Sequence, residues 1–349
     1  MAKDSHTWQE IRSQPDVWRA TLDAFVTDRA ALARFLGKAN PDQIITVGCG
    51  STHYLAHTAA AMLAHGTGVP VRALPSSELW LYPGALCTSK TMLLAISRSG
   101  TTTETLWALE RFRQANGGPV MAVTCYPQSP LAQQADLALA APEAQEKSVA
   151  QTRSFTSMLL LIQALAATSA HDEEMLGRLR RLPDALADLV ERVGDLPQRL
   201  GTDGNIERFF FLGGGPLYGL ACEAMLKTKE MSLSYAEAYY PLEFRHGPMS
   251  MVDERTLVVG LLSDTGLAAE RRVLEDMHKL GARTLALVED ASTLANWRAG
   301  DVVELRSGLS EWERGALTLP VLQRLAYHRA IWKGLDPDRP QNLTAVVEL

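Results

Sequence analysis

Glu223, Lys227 and Glu230 recur at spacings of four and three in a segment that patterns as helix, so all three fall on one helix face. A carboxylate beside an ammonium can move a proton between neighbouring atoms, and the same pattern is also the ordinary Glu-to-Lys stripe of a solvated face. The residues alone leave both open. Downstream, Phe244-Arg245-His246-Gly247-Pro248-Met249 sets His246 before a Gly-Pro turn, which holds an imidazole outside regular structure. Such a histidine is either a surface residue or a proton-transfer group working near neutral pH.

Two earlier stretches could hold an anion. Ser97-Arg98-Ser99-Gly100-Thr101-Thr102-Thr103-Glu104 carries five hydroxyls in seven residues around one glycine, more than helix capping requires. It follows a predicted strand, at the end where open α/β sheets bind ligands. Gly48-Cys49-Gly50-Ser51-Thr52-His53 also joins a strand to a helix, and reads as an anion cradle or as a plain Ser/Thr-capped turn. Neither stretch has the spacing of a P-loop or of a dinucleotide fingerprint, so no nucleotide cofactor is expected. No His/Asp ligand cluster points to a metal.

The elements that must position these residues alternate short β-branched runs with helical patterns, which predicts doubly wound α/β architecture. Strands are expected at Ile44–Val47, Met92–Ser97, Val120–Thr124 and Leu137–Ala140, then at Phe209–Leu212, Thr256–Leu262, Thr284–Val288 and Val302–Leu305. The similar spacing predicts two tandem parallel-sheet domains of flavodoxin-like type, a duplication of one fold. Residues 1–40 read as an N-terminal helical segment, 41–168 as the first domain, 169–200 as a helical connector and 201–349 as the second domain. A helix is expected over Leu217–Ser234, and another over the apolar run Phe155–Ala167, which is short of the ~20 residues of a membrane span.

Composition narrows the classes further. The 349 residues, 46% hydrophobic and 21% charged, suit a folded globular chain of two domains. A net charge of −6 without a basic stripe gives no support to a nucleic-acid partner. Cys49, Cys87, Cys125 and Cys222 form no C-x-x-C pair and read as reduced, mostly buried thiols. Met1 to Glu10 lacks the apolar core of a secretion signal, so a cytoplasmic location is expected.

The turn at Gly48–Thr52, the Ser97-Arg98-Ser99-Gly100 loop and Glu146-Lys147-Ser148-Val149-Ala150-Gln151-Thr152-Arg153-Ser154-Phe155, in that order, resemble the sugar isomerase (SIS) domain of phosphosugar-binding proteins. The segment from Glu223 to Met249 is similar to the isomerase half of glucosamine-6-phosphate synthase and its stand-alone relatives. The resemblance implies a phosphate grip from Ser51, Thr52, Ser97, the Arg98 backbone, Ser99 and Thr102, and sugar contacts from Val149 and Gln151. It implies that Glu230 moves the proton between C1 and C2, that Lys227 supports it, and that His246 opens the sugar ring from across a homodimer interface. For Thr152 and Arg153 the residues themselves also suit a helix start with a surface arginine.

The sequence departs from the synthase in two ways. It reaches the sugar-binding fold without the glutamine-hydrolysing domain, so ammonia from glutamine is not expected by that route. Ala345 falls where the resemblance places a Schiff-base lysine, and an alanine cannot be a nucleophile. A substrate already carrying an amine at C2 needs no such lysine, which favours deamination of an amino-sugar phosphate such as glucosamine-6-phosphate. A fructosamine-6-phosphate deglycase and a non-catalytic sugar-phosphate sensor are the competing expectations. A sensor has no need of the three catalytic-type residues, and neither end carries a helix-turn-helix pattern.

Overall fold

The computed structural model describes residues 5–344, so Ala345 lies outside the described residues. Helix α1 (His6–Arg12) groups with the second of two compact units, whereas α2 (Gln14–Ala39) groups with the first. The first unit comprises Ser13–Lys147 and Gln151–Pro183. Its strands β1 (Gln43–Gly48), β2 (Val71–Pro75), β3 (Thr91–Ile96), β4 (Val120–Thr124) and β5 (Leu137–Ala140) are all parallel, in the order β2-β1-β3-β4-β5. Crossovers run through α3 (Ser51–Thr67), α4 (Ser76–Leu81), α5 (Thr103–Gln114) and α6 (Pro130–Gln134). The buried strands β3 and β4 are apolar along their length, as strands covered on both faces must be.

Helix α7 (Arg153–Ser169) is buried from Ser154 to Thr168, as the apolar run predicts, and packs against α2 and α3. Trp18 of α2 is fully buried there and donates from Nε1 to Thr156 Oγ1 at 2.9 Å. Thr156 in turn donates to Gln14 Oε1 at 2.8 Å. The N-terminal helical segment therefore covers the first sheet's helix layer mainly through α2. The short α8 (Glu173–Leu179) packs on α7.

The second unit comprises Asp184–Leu343 with residues 5–12 and Ser148–Ala150, and α9 (Leu182–Val193) crosses its edge. The stretch 169–200 is helical as expected, but it is shared between the units: α8 packs on α7, whereas α10 (Leu196–Gly201) packs on the C-terminal helix of the second unit. Strands β6 (Arg208–Gly213), β7 (Tyr235–Tyr239), β8 (Thr256–Leu261), β9 (Arg283–Val288) and β10 (Asp301–Glu304) form a parallel sheet ordered β10-β9-β8-β6-β7. Renumbered from its own first strand, this is the order of the first sheet. Helices α11 (Tyr218–Ser232), α12 (Leu267–Lys279), α13 (Glu311–Arg314) and α14 (Thr318–Trp332) complete the unit.

The two units share a steric detail. A Cβ on Gly48 would lie 2.3 Å from the Thr52 carbonyl carbon, and one on Gly213 would lie 2.4 Å from the Leu217 carbonyl oxygen. In each case the first strand must end in a glycine because the following turn folds back onto it.

Strands β2 and β7 are the two that the sequence pattern does not predict. Both are edge strands: β2 is partly exposed along its whole length and contains Arg72 and Pro75, and Ala236 is the buried residue of β7. An edge strand carries no continuous apolar run to announce it. All four cysteines are free, and Cys49 is the one that is partly exposed.

Replacing Trp18 with alanine should lower the unfolding free energy by about 3–5 kcal/mol, the usual cost of emptying a large buried aromatic site. Chemical denaturation of the Trp18→Ala variant, with Trp18→Phe losing clearly less, checks that the α2–α7 contact rests on this ring.

Candidate functional site

Strands β1 and β3 are neighbours whose crossovers leave in opposite directions, which makes the space beyond their carboxyl ends the topological switch point of the first sheet. Both hydroxyl-bearing loops lie there. In the first, Gly50 has φ 54°, in the left-handed region, and Thr52 Oγ1 accepts from Cys49 N and donates to Cys49 O, each at 2.9 Å. Ser51 and Thr52 are buried at the start of α3. The Thr52 hydroxyl thus builds the turn that presents the amides.

In the second loop Gly100 has φ 67°, and its N–H donates to Ser97 Oγ at 3.1 Å. Ser97 Oγ is also 3.0 Å from Thr102 Oγ1, and Ser99 Oγ accepts from Thr101 N and Oγ1 at 3.2 and 2.9 Å. Ser97 is buried, whereas Ser99 and Thr102 are half-buried. The Arg98 carbonyl accepts from Cys125 N at 3.0 Å and Thr124 Oγ1 at 3.1 Å, pinning the loop to the end of β4. The result is a rigid nest of neutral donors at the start of α5, suited to an anion.

The Arg98 side chain points away from that role. Its Nη1 lies 3.4 Å from Glu146 Oε2, with side-chain exposures of 10% and 0%. Glu146 also accepts from Thr152 N and Thr152 Oγ1, each at 2.7 Å, from Ser154 N at 3.2 Å and from Ser154 Oγ. It therefore caps α7 from six residues upstream. Thr152 does begin a helix, but Arg153 is no surface arginine: it donates to Ser13 Oγ at 3.1 Å and to the Gln145 carbonyl. Nothing in the sequence pattern singles out Glu146 beyond a carboxylate placed ahead of a Thr-x-Ser helix start. Gln151 is half-buried, and its Oε1 is buried without a hydrogen-bond partner among the described residues. Val149 is half-buried in the second unit, where its N–H donates to the Asp338 carbonyl at 3.3 Å.

In the second unit α11 packs on β6, β7 and α14, so it is buried on several sides. The face carrying Glu223, Lys227 and Glu230 is consequently not a solvated stripe. Glu223 and Lys227 have side-chain exposures of 0% and 1%, and Glu230 of 17%. Lys227 Nζ lies 3.3 Å from Glu223 Oε1 and donates to Glu230 Oε2. Burial pulls the ammonium's pKa down, but the carboxylates of Glu223 and Glu230 outweigh it and hold the pKa above the ordinary value. Lys227 is thus a fixed cation, and Glu230 is the member of the trio nearest solvent.

His246 sits on a separate loop. It ends a 3-10 turn, Glu243–Arg245, with its N–H donating to Glu243 O at 2.9 Å, and its side chain is exposed. Phe244 anchors the loop in the core, and Gly247 takes φ 126°, which explains the glycine.

The loop after β8 answers to the one after β3. Gly266 N donates to Ser263 Oγ at 2.8 Å, the same turn as Gly100 to Ser97. Here, however, carboxylates of the chain fill the nest. Glu270 accepts from Ser263 N and Oγ at 2.7 and 2.9 Å, and Glu311 accepts from Thr265 N and Oγ1 at 3.2 and 2.9 Å and from Asp264 N.

Two parallel doubly wound sheets, one with hydroxyl-bearing loops at its switch point and the other with a buried carboxylate–lysine cluster, define a chain of the tandem α/β class. It belongs to the SIS domain family, whose model matches residues 38–168 and 205–299. A glutamine–fructose-6-phosphate aminotransferase (isomerizing) from Methanothermobacter thermautotrophicus is 28% identical over 347 residues, covering 99% of this chain and 57% of that protein. The chain thus spans little more than half the length of that curated relative. A glucosamine-6-phosphate deaminase structure from Thermotoga maritima is 27% identical with a TM-score of 0.80, covering 99% of this chain and 100% of that one. The tagatose-6-phosphate ketose/aldose isomerase structure from Escherichia coli is 26% identical with a TM-score of 0.87, covering 98% of each chain.

Two outcomes follow from this geometry. Lys227→Met leaves two carboxylates without their shared cation, and should cost about 3–5 kcal/mol of stability at neutral pH, read from denaturant unfolding. A loss below about 1 kcal/mol would show that the trio is not held by the ammonium.

His53, on α3 beside the first loop, is pushed down to about 4 by burial and then by neighbouring His57, against a hydrogen bond to the Leu74 backbone. Between its ordinary value of 6.5 and about 4 the unfolded chain binds the proton and the folded chain does not, so stability falls as pH falls through that window. His53→Gln should lose less stability than the parent between those two pH values, measured as denaturation midpoints. Parallel curves would remove His53 as a source of acid sensitivity.

Proposed function

We propose that the chain is an amino-sugar phosphate isomerase that releases ammonia, acting on glucosamine-6-phosphate or an epimer. The observation that carries this reading is the trio on α11: a buried Lys227, whose pKa is raised by Glu223 and Glu230, ion-paired to Glu230 at the solvent-facing end. Aldose–ketose interconversion requires one base that serves two adjacent carbons, and a partly desolvated carboxylate with two oxygens suits it. The roles fall to the residues as follows. The loops carrying Ser51, Thr52, Ser97, Arg98, Ser99 and Thr102 grip the phosphate through backbone amides and the hydroxyls not used in closing the turns, and Val149 and Gln151 contact the sugar. The buried, unpartnered Gln151 Oε1 and the open nest around Gly100 support these two assignments.

The chemistry balances without a cofactor. His246, donated by a second copy of the chain in a homodimer, passes a proton to the ring oxygen as the ring opens to the C1 aldehyde. Glu230 removes the C2 proton of the amino aldehyde, giving an enol amine, and returns a proton to C1, giving an imine at C2. Water adds to that imine, and ammonia leaves with formation of the ketose phosphate. Ala345 offers no amine for an enzyme Schiff base, and the substrate's own nitrogen makes one unnecessary. That the structural neighbours include a glucosamine-6-phosphate deaminase from Thermotoga maritima and a tagatose-6-phosphate ketose/aldose isomerase from Escherichia coli supports this reading.

The test is ammonia release from glucosamine-6-phosphate, with galactosamine-6-phosphate and tagatose-6-phosphate alongside. The wild type should liberate ammonia and a ketose phosphate from an amino sugar, and Glu230→Gln should lose at least about a hundredfold in kcat. Interconversion of tagatose-6-phosphate without ammonia from either amino sugar would replace deamination by simple isomerisation. Binding without turnover of any of the three would leave a sugar-phosphate sensor or a deglycase.

A further inference from the structure

We propose that Glu146 is a positioning residue for phosphosugar binding: it ties the Arg98 loop to the start of α7 and so sets the distance between the anion nest and Gln151. The proposal rests on the phosphosugar reading above, and adds a residue that touches neither phosphate nor sugar in it.

The argument starts from charge. Glu146 and Arg98 are almost wholly buried, and a buried ion is tolerable only when its partners are complete. Glu146 is satisfied by Arg98 on one side and by the amides and hydroxyls of Thr152 and Ser154 on the other. One carboxylate therefore joins two pieces of chain far apart in sequence. The first is the Ser97–Thr102 loop, whose donors face the switch point. The second is the segment that carries Gln151, immediately before the helix that Glu146 caps.

Two consequences separate this role from simple packing. The Arg98 guanidinium is committed to Glu146, so the nest offers an incoming dianion neutral donors rather than a free cation. In addition, the loop is held from both sides, through the Arg98 carbonyl by β4 and through its side chain by Glu146, before any ligand arrives. A preformed loop improves affinity by removing the ordering cost from the binding step. Glutamine at position 146 preserves size and still accepts from Thr152, but it turns an NH2 toward the donors of Arg98 and Ser154. The joint then opens, while Glu230 and Lys227 on α11 are untouched.

The experiment compares the wild type with Glu146→Gln, Arg98→Met and the double variant, using thermal melting to establish folding. Calorimetric titration with inorganic phosphate, and with glucosamine-6-phosphate in a Glu230→Gln background, gives affinities independent of turnover, and initial rates of the otherwise wild-type variants give KM and kcat. Glu146→Gln should raise KM for glucosamine-6-phosphate roughly tenfold or more, with kcat within about twofold, as expected for lost positioning away from the reacting carbons. Its affinity loss should be larger for the sugar phosphate than for inorganic phosphate, because the second ligand does not reach Gln151. The double variant should bind no more weakly than the worse single one, since the two side chains act as a pair.

A folded Glu146→Gln that binds both ligands as well as or better than the wild type overturns the proposal, as does a fall in kcat at constant KM. Should Glu146→Gln fail to fold, Arg98→Met decides: unchanged affinity for both ligands also overturns it. If the wild type binds but does not turn over the amino sugar, the deaminase reading fails, and the two titrations still decide the role of Glu146.

Discussion

The second unit is organised around a single ammonium. Lys227 stands between Glu223 and Glu230 inside a helix that packs on two strands and on α14, and its positive charge is shared by the two carboxylates. Two anions share one cation, so the trio keeps a net negative charge that the protein tolerates only at its exposed end. That end is Glu230. A surface stripe of the same sequence would be weakly coupled; burial is what converts i, i+4, i+7 spacing into a fixed ion cluster.

The first unit solves the opposite problem. It keeps its hydroxyl-bearing loops fixed by side chains of the loops themselves. The hydroxyls of Thr52 and Ser97 are turned inward to close the turns, and the charged Arg98 is turned inward to meet Glu146. What faces outward is backbone and neutral hydroxyl. Glycines at 50 and 100 make this possible, since both residues adopt left-handed φ values that side-chain-bearing residues avoid.

Much of the fold was legible in the amino-acid sequence because central parallel strands are buried on both faces and read as unbroken apolar runs, as in Phe209–Leu212 and Val120–Thr124. Edge strands β2 and β7 were not, because half-exposed strands such as Tyr235–Tyr239 lack that signal. The candidate residues were legible as types and spacings, and their resemblance to a phosphosugar family lent them roles. Their environment was not legible: periodicity places Glu223, Lys227 and Glu230 on one face without saying that β6, β7 and α14 cover the helix. Glu146 was hidden for the same reason, since its partners Arg98 and Ser154 lie on either side of it in sequence and meet only in the folded unit.

The carboxylate-filled loop after β8 bears on how the two halves respond to their surroundings. A loop of donors that binds an anion is stabilised by it through mass action, so the unfolding free energy of the folded unit rises with ligand concentration. A nest already answered by Glu270 and Glu311 has no such dependence. On the phosphosugar reading proposed above, the stability of the first half would follow the supply of its ligand, whereas the second half holds its own carboxylates in the matching loop.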